Sequence, residues 1–228
     1  MNPITDLQKQ HRSIRKFKPE ALDAAQINAL VDAARCGATS SYMQACTIIS
    51  ITDPALKQAL SDISTQPYVR ENGHLFMFVA DLARNSEIAE MQGVNPVHQG
   101  SADRFLAGVY DCSIAAQNMV LAAESMGLGT VYLGSILTYA ARVIELLALP
   151  ERTFPVFALA VGYPDQSPEQ KPRLPAAITH MENRYTPVSE HLPELTEYDR
   201  LLTEYYQTRG GNSRTAKSWH TFCAAKAF

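Results

Sequence analysis

The sequence predicts an α+β fold, and three observations carry that prediction. Four short runs rich in β-branched and aromatic residues read as strands: CTIISI (46–51), LFMFVA (75–80), TVYL (130–133) and FPVFALAV (154–161). One long periodic segment, Ser101 to Met126, is apolar on most faces of a helix. The composition, 46% hydrophobic and 19% charged over 228 residues, is that of an ordered globular chain.

Pro3 to Gln10 reads as a short helix, with Pro3 in its first turn and Ile4 and Leu7 on one face. His11-Arg12-Ser13-Ile14-Arg15-Lys16-Phe17 follows as a loop closed by Lys18-Pro19, because a proline disfavours helix in the residue before it. Leu22, Ile27, Leu30, Val31 and Ala34 mark an amphipathic helix that stops at Cys36-Gly37. The hydroxyl-rich stretch ATSSYMQ (38–44), taken alone, is an ordinary turn into the first strand, which reads as buried.

Asp53-Pro54 caps and opens a helix reaching about Ile63, and Thr65-Gln66-Pro67-Tyr68 connects it to the second strand. Residues 85–100, with Gly93, Pro96 and Gly100, read as a mobile excursion. On the long helix, Phe105, Val109, Cys112, Ala116, Met119, Ala123 and Met126 form a seam with steps of four and three. Leu106, Ile114, Val120 and Leu121 make a second face apolar, so this helix belongs in a core or between two subunits. Gly127 and Gly129 end it. After the third strand, Gly134-Ser135-Ile136 leads into a helix from Tyr139 to Ala148. The fourth strand turns at Gly162-Tyr163-Pro164 into a polar stretch carrying Lys171-Pro172-Arg173. Tyr198, Leu201, Leu202 and Tyr205 share one face of a further helix, and 209–228 reads as a flexible tail, mobile or lying over a partner surface. There is no internal repeat, and a single domain over 1–228 is expected.

The net charge of −3 gives no bulk basic field for nucleic acid. Cys36, Cys46, Cys112 and Cys223 are scattered, without CxxC or zinc spacing, as in reduced cytosolic proteins. The segment MNPITDLQKQ is too polar for a signal peptide, and no apolar run approaches the roughly 20 residues of a membrane helix. The expectation is a cytoplasmic protein with neither nucleic-acid nor membrane partners.

Several chemistries leave no trace. GxGxxG after a strand, GxxxxGK[ST], GxSxG and HExxH are all absent, and the six histidines never pair at ligand spacing, so no metal site is expected. Two basic clusters stand out instead. His11, Arg12, Arg15 and Lys16 crowd one short stretch of an acidic protein, with Ser13 between them, and arginine's planar fork suits phosphate and other flat oxygen-rich groups. Lys171 and Arg173 flank a proline that favours extended backbone, which would point both to one side; alone, that stretch could equally be a solvated surface loop.

HRSIRKF resembles the FMN-binding signature of the nitroreductase superfamily. The likeness continues through ATSSYMQ, AAESMGLGTVYLGS, LPERTFPVFALAVGYPDQSPEQKPRLPAAI, ENRYTP and EYYQTRGGNSR, about residues 4 to 215. Order and spacing resemble the oxygen-insensitive NADPH nitroreductase A and NADPH-flavin oxidoreductase branch. The resemblance implies a nitroreductase-like fold, with a central, mostly antiparallel sheet wrapped by helices, in an intertwined homodimer with FMN at the interface. It assigns His11, Arg12 and Ser13 to the FMN phosphate and ribityl chain and Arg15 to the N1/O2 edge of the flavin. Thr39, Ser40, Ser41 and Met43 would reach the flavin of the other subunit. Gln66 would bond the pyrimidine edge, Gly134 and Ser135 would offer backbone N–H groups near N5, and Lys171 and Arg173 would hold the phosphate. Arg209 and Arg214 would meet the 2′-phosphate of NADPH.

Three positions depart from the pattern. Leu137 stands where some relatives carry a basic residue, Ser135 replaces the second glycine of a pair, and SWHTFCAAKAF does not resemble the branch's longer C-terminal extension. The implied function is an FMN-dependent NAD(P)H oxidoreductase, with NADPH or NADH as co-substrate. It would reduce nitroaromatics, quinones or flavins two electrons at a time by a ping-pong cycle, with no protein side chain as obligatory acid or base. Two alternatives stand beside it: a reductase whose product is free reduced FMN, and a non-catalytic FMN-binding dimer.

Overall fold

A computed structural model of the protein describes residues 2–208 and 218–226. The chain divides into two compact units, Met1–Pro168 and Glu169–Phe228. The first holds helices α1 (Pro3–Gln10), α2 (Ala24–Arg35), α3 (Pro54–Ser64), α4 (Ala83–Met91), α5 (Ala102–Ser125) and α6 (Ala140–Leu146). Its strands are β1 (Cys46–Ile51), β2 (His74–Asp81), β3 (Gly129–Leu133) and β4 (Thr153–Gly162). The second holds α7 (Ala176–Thr179), α8 (Leu192–Thr208) and α9 (Trp219–Lys226).

The strands form one sheet in the order β1-β2-β4-β3, antiparallel at every pairing. Residues of β2 alternate between two cores. Phe76, Phe78 and Ala80 meet α2 and α5, while Leu75, Met77 and Val79 meet α3, α6 and Ile14 and Phe17 of the basic segment. A central strand covered on both faces reads as an unbroken apolar run, which is why LFMFVA shows no alternation. CTIISI does not share that fate. β1 is an edge strand, most of it only half-buried, because it has a neighbour on one side alone.

Local signals set most boundaries. The Asn2 side chain caps α1, accepting from the Ile4 N–H at 2.9 Å, with Pro3 at the first helical position. Asp23 and Gln26 form a reciprocal capping box on α2. Asp53 caps α3, accepting from the Ala55 N–H at 2.8 Å. Ser101 caps α5, and Met126 closes it.

The expected seam on α5 is corrected at its ends. Ala107, Gly108, Cys112, Ala115, Ala116, Met119 and Ala123 face the core, whereas Phe105 and Met126 are exposed. By length and composition alone α5 could cross a bilayer, contrary to the expectation that no run would pass that test; its buried row packs against the sheet as in a core helix. Residues 85–100 are also corrected. The Asp81 carboxylate accepts from the Arg84 N–H at 3.0 Å and starts α4, and the glycines and proline lie beyond that helix. In the second unit, 219–226 form α9 rather than irregular tail. Ser218 Oγ accepts from the Thr221 N–H at 3.2 Å, and Asp199 of α8 accepts from the Trp219 and His220 N–H groups. Trp219 meets Tyr198 edge-on at 5.8 Å between centroids, seating the two helices together.

Candidate functional site

The basic segment lies against the edge of the sheet formed by β3 and its continuation beyond β4. Ser13 bridges Thr130 in parallel, the Ile14 N–H donates to the Thr130 carbonyl at 2.9 Å, and Phe17 bridges Pro164. The Lys18 N–H reaches the Tyr163 carbonyl at 2.9 Å, and Lys16 forms an exposed ion pair with Asp165 at 2.6 Å. Ile14 and Phe17 are buried at 7% and 8% exposure, and these two anchors turn Arg12 and Arg15 outward. The clamp is tight: a Cβ at Gly129 would stand 2.5 Å from Ile14 Cγ1, and one at Gly162 would stand 3.0 Å from Phe17 Cδ1. Among the described residues neither Arg12 nor Arg15 makes an ion pair. Two uncommitted guanidinium groups on a fixed backbone are a donor set for an anion.

His11 closes α1 as its C-cap, and its Nδ1 lies 2.5 Å from Glu124 Oε1 near the end of α5. A cavity of about 240 Å³ opens beside this pair, lined by Arg12, Ile14, Glu124, Gly127, Gln166 and Ser167 among others. The Tyr132 phenol is pushed up to about 12, by burial first and by the Glu124 charge second.

The hydroxyl-rich loop is more than a turn. Ser40 to Tyr42 make a 3₁₀ turn, and Ser41, Tyr42 and Gln44 all take left-handed φ values of 51°, 55° and 51°. Such residues cost about 1 kcal/mol each, so the loop must be held from outside. Asp111, buried on α5, accepts from the Ser40 N–H at 2.8 Å and the Ala45 N–H at 2.9 Å. From α4, Asn85 donates to the Met43 carbonyl at 3.0 Å and Arg84 donates to the Gln44 carbonyl. Ser40, Ser41 and Tyr42 are exposed at the crest, with Thr39 and Met43 half-buried over a cavity of about 540 Å³.

Gly134 ends β3, and a Cβ there would meet nothing within 4 Å, so the backbone is open to approach. Ser135 and Leu137 are half-buried in the 3₁₀ turn that follows, Leu137 against the second core. Gln66 precedes another short 3₁₀ turn. Its carbonyl accepts from Ser61 Oγ at 2.9 Å, and its side-chain amide has no partner among the described residues. In the second unit, Lys171 and Arg173 are exposed on either side of Pro172, whose carbonyl accepts from the Tyr198 hydroxyl at 3.2 Å. Lys171 Nζ lies 5.5 Å above the Tyr206 ring. Arg209 and Arg214 lie outside the described residues.

Asp111, Glu124, Arg84 and Asn85 escape a reading of the sequence. Each acts on a partner at least 40 positions away, and none sits in a recognisable motif. Among the described residues no group of three or more His, Cys, Asp or Glu could hold a metal ion.

Residues 9–163 match the nitroreductase family, and residues 171–227 match its C-terminal domain. The chain is 42% identical over 215 residues to an oxygen-insensitive NADPH nitroreductase of Salmonella typhimurium, covering 94% of this chain and 87% of that one. It is 39% identical over 223 residues to an FMN reductase (NADPH) of Bacillus subtilis, covering 96% and 89%. A nitroreductase structure from B. subtilis superposes with a TM-score of 0.93 at 37% identity, covering 98% of this chain and 91% of that one.

Proposed function

The chain belongs to the nitroreductase family, and from that premise we propose that it is an NADPH-dependent oxidoreductase with FMN as its bound cofactor. One observation carries the cofactor: Arg12 and Arg15 project from a segment fixed by Ile14 and Phe17, and among the described residues neither has an ion-pair partner. The rest of the donor set fits. Ser13 adds a hydroxyl, Gln66 an uncommitted amide, and Gly134 a backbone open to close approach. When bound, FMN supplies the redox chemistry, accepting two electrons from NADPH and passing them in turn to an oxidised nitroaromatic, quinone or flavin.

The protein's residues bind and tune. Arg12, with His11 and Ser13, holds the phosphate and ribityl chain. Arg15 places a positive charge at the pyrimidine edge, where reduction builds negative charge. Lys171 and Arg173 are assigned to the phosphate, and Arg209 and Arg214 to the 2′-phosphate of NADPH.

We read the working form as a homodimer in which Thr39, Ser40, Ser41 and Met43 serve the neighbouring subunit's flavin. In support, Leu106, Tyr110 and Ile114 line an apolar row on α5 that is 45%, 57% and 40% exposed, and the same helix holds the loop through Asp111. The four cysteines are free thiols, as a reducing cytoplasm maintains.

The test is the visible spectrum of the purified protein under anaerobic conditions. A yellow chromophore should bleach on adding NADPH and return on adding nitrofurazone or a quinone. A colourless protein, or a yellow one that NADPH leaves unchanged, overturns the reading. The likeness to an FMN reductase favours a second reading, in which free FMN is the main acceptor. Acceptor kinetics with FMN against nitrofurazone separate the two.

A further inference from the structure

Glu124 stands in an unfavourable place. It is the second-last residue of α5, where a carboxylate meets the negative end of the helix dipole, and its side chain is only 12% exposed. It also lines the cavity that Arg12 enters, and a buried carboxylate beside an anion site is costly unless it is paired. Its partner is His11, at 2.5 Å through Nδ1. His11 is equally constrained, because the end of α1 fixes its backbone and its N–H donates to the Gln8 carbonyl. With Nδ1 engaged, Nε2 is the ring atom left for a ligand, and it has no partner among the described residues.

We propose that Glu124 is a positioning residue for the cofactor's phosphate, acting through His11. The carboxylate accepts from Nδ1–H and sets the ring plane. With Nδ1 held on Glu124, the ring turns Nε2 toward the phosphate. The same orientation by a carboxylate is the general way a working imidazole is held. The consequence is selectivity: Glu124 makes the site prefer a phosphorylated flavin to riboflavin. This rests on the FMN reading above.

The test measures binding of FMN and of riboflavin to flavin-free full-length protein by quenching of flavin fluorescence, in wild type, Glu124→Gln, His11→Ala and the double variant. Glutamine keeps the shape and removes the charge. Glu124→Gln should weaken FMN by roughly tenfold and leave riboflavin unchanged, the loss of one charge-assisted interaction. In the double variant FMN should bind no more weakly than in His11→Ala, because the two residues act as one unit. Equal weakening of both flavins would make the pair a structural pin between α1 and α5, and additive losses would make Glu124 independent of His11; either overturns the inference. Failure of the wild type to bind FMN at all would instead overturn the cofactor assignment.

Discussion

Arg12 and Arg15 are three residues apart, both exposed and neither in an ion pair among the described residues, yet they are assigned different work. Arg12 is proposed as an anchor, so Arg12→Ala should weaken FMN about tenfold or more, the value of a hydrogen bond to a charged group, as read by flavin retained on dilution. Arg15 is assigned to the ring. Arg15→Ala should keep part of the FMN and shift its reduction potential to more negative values in a dye-equilibration titration; an unchanged potential would remove Arg15 from the flavin edge. His74 carries a separate prediction. It is buried at the start of β2, its Nε2 has no partner among the described residues, and burial first and Lys57 second lower its pKa from 6.5 to about 4. The folded state therefore favours the neutral ring, and protonation favours unfolding. Its contribution is intact above pH 6.5 and drains away as pH falls to about 4, by about 3 kcal/mol at most. Urea melts at pH 7 and pH 4.5 should show that loss, and His74→Phe should reduce the difference.

At the scale of elements, the decisive contact is between the basic segment and β3. Gly129 exists because Ile14 occupies the space its Cβ would need, and the nearest atoms all belong to that one side chain. Gly129→Ala should destabilise the fold by about 1–3 kcal/mol through overpacking and, by displacing Ile14, lower FMN affinity as well. Adding Ile14→Ala should recover part of the stability, since it removes the clashing atoms. A Gly129→Ala protein with an unchanged melting temperature and full FMN would show that the segment is not held this way. The loop 38–45 follows the same logic: it contains three left-handed residues, and Asp111, Arg84 and Asn85 hold it at Ser40, Met43, Gln44 and Ala45.

At the scale of the molecule, α5 organises the first unit. One face packs on α2 and the sheet, and the other leaves Leu106, Tyr110 and Ile114 open. In the homodimer proposed above, that row is the surface a second copy would cover. Ile114→Glu should shift the protein from dimer to monomer in light scattering, and FMN should be lost with it if residues of each subunit complete the other's site. A monomeric wild type, or a monomeric variant that holds FMN normally, would contradict the shared-site arrangement.

Much of this was legible in the residues because it depends on neighbours in the chain. Asn2-Pro3, Asp53-Pro54 and Ser101 set helix starts through bonds spanning two or three positions, and the β-branched runs placed all four strands. The motif HRSIRKF and its companions pointed to the family, which the comparisons bear out. What the sequence could not decide was which side of an element meets which neighbour. β1 and β2 have similar compositions, but only the sheet order makes one an edge and the other a centre. Phe105 and Met126 fit the seam by spacing, yet both are exposed: Phe105 meets Phe154 of β4 edge-on with part of its surface open, and Met126 lies past the last residue of α5. Asp111 and Glu124 read as ordinary helix carboxylates until folding brings each to a partner 66 to 113 positions away. Local chemistry chose the elements. The long-range packing of those elements chose which polar groups became committed and which, like Arg12 and Arg15, were left without an ion pair among the described residues.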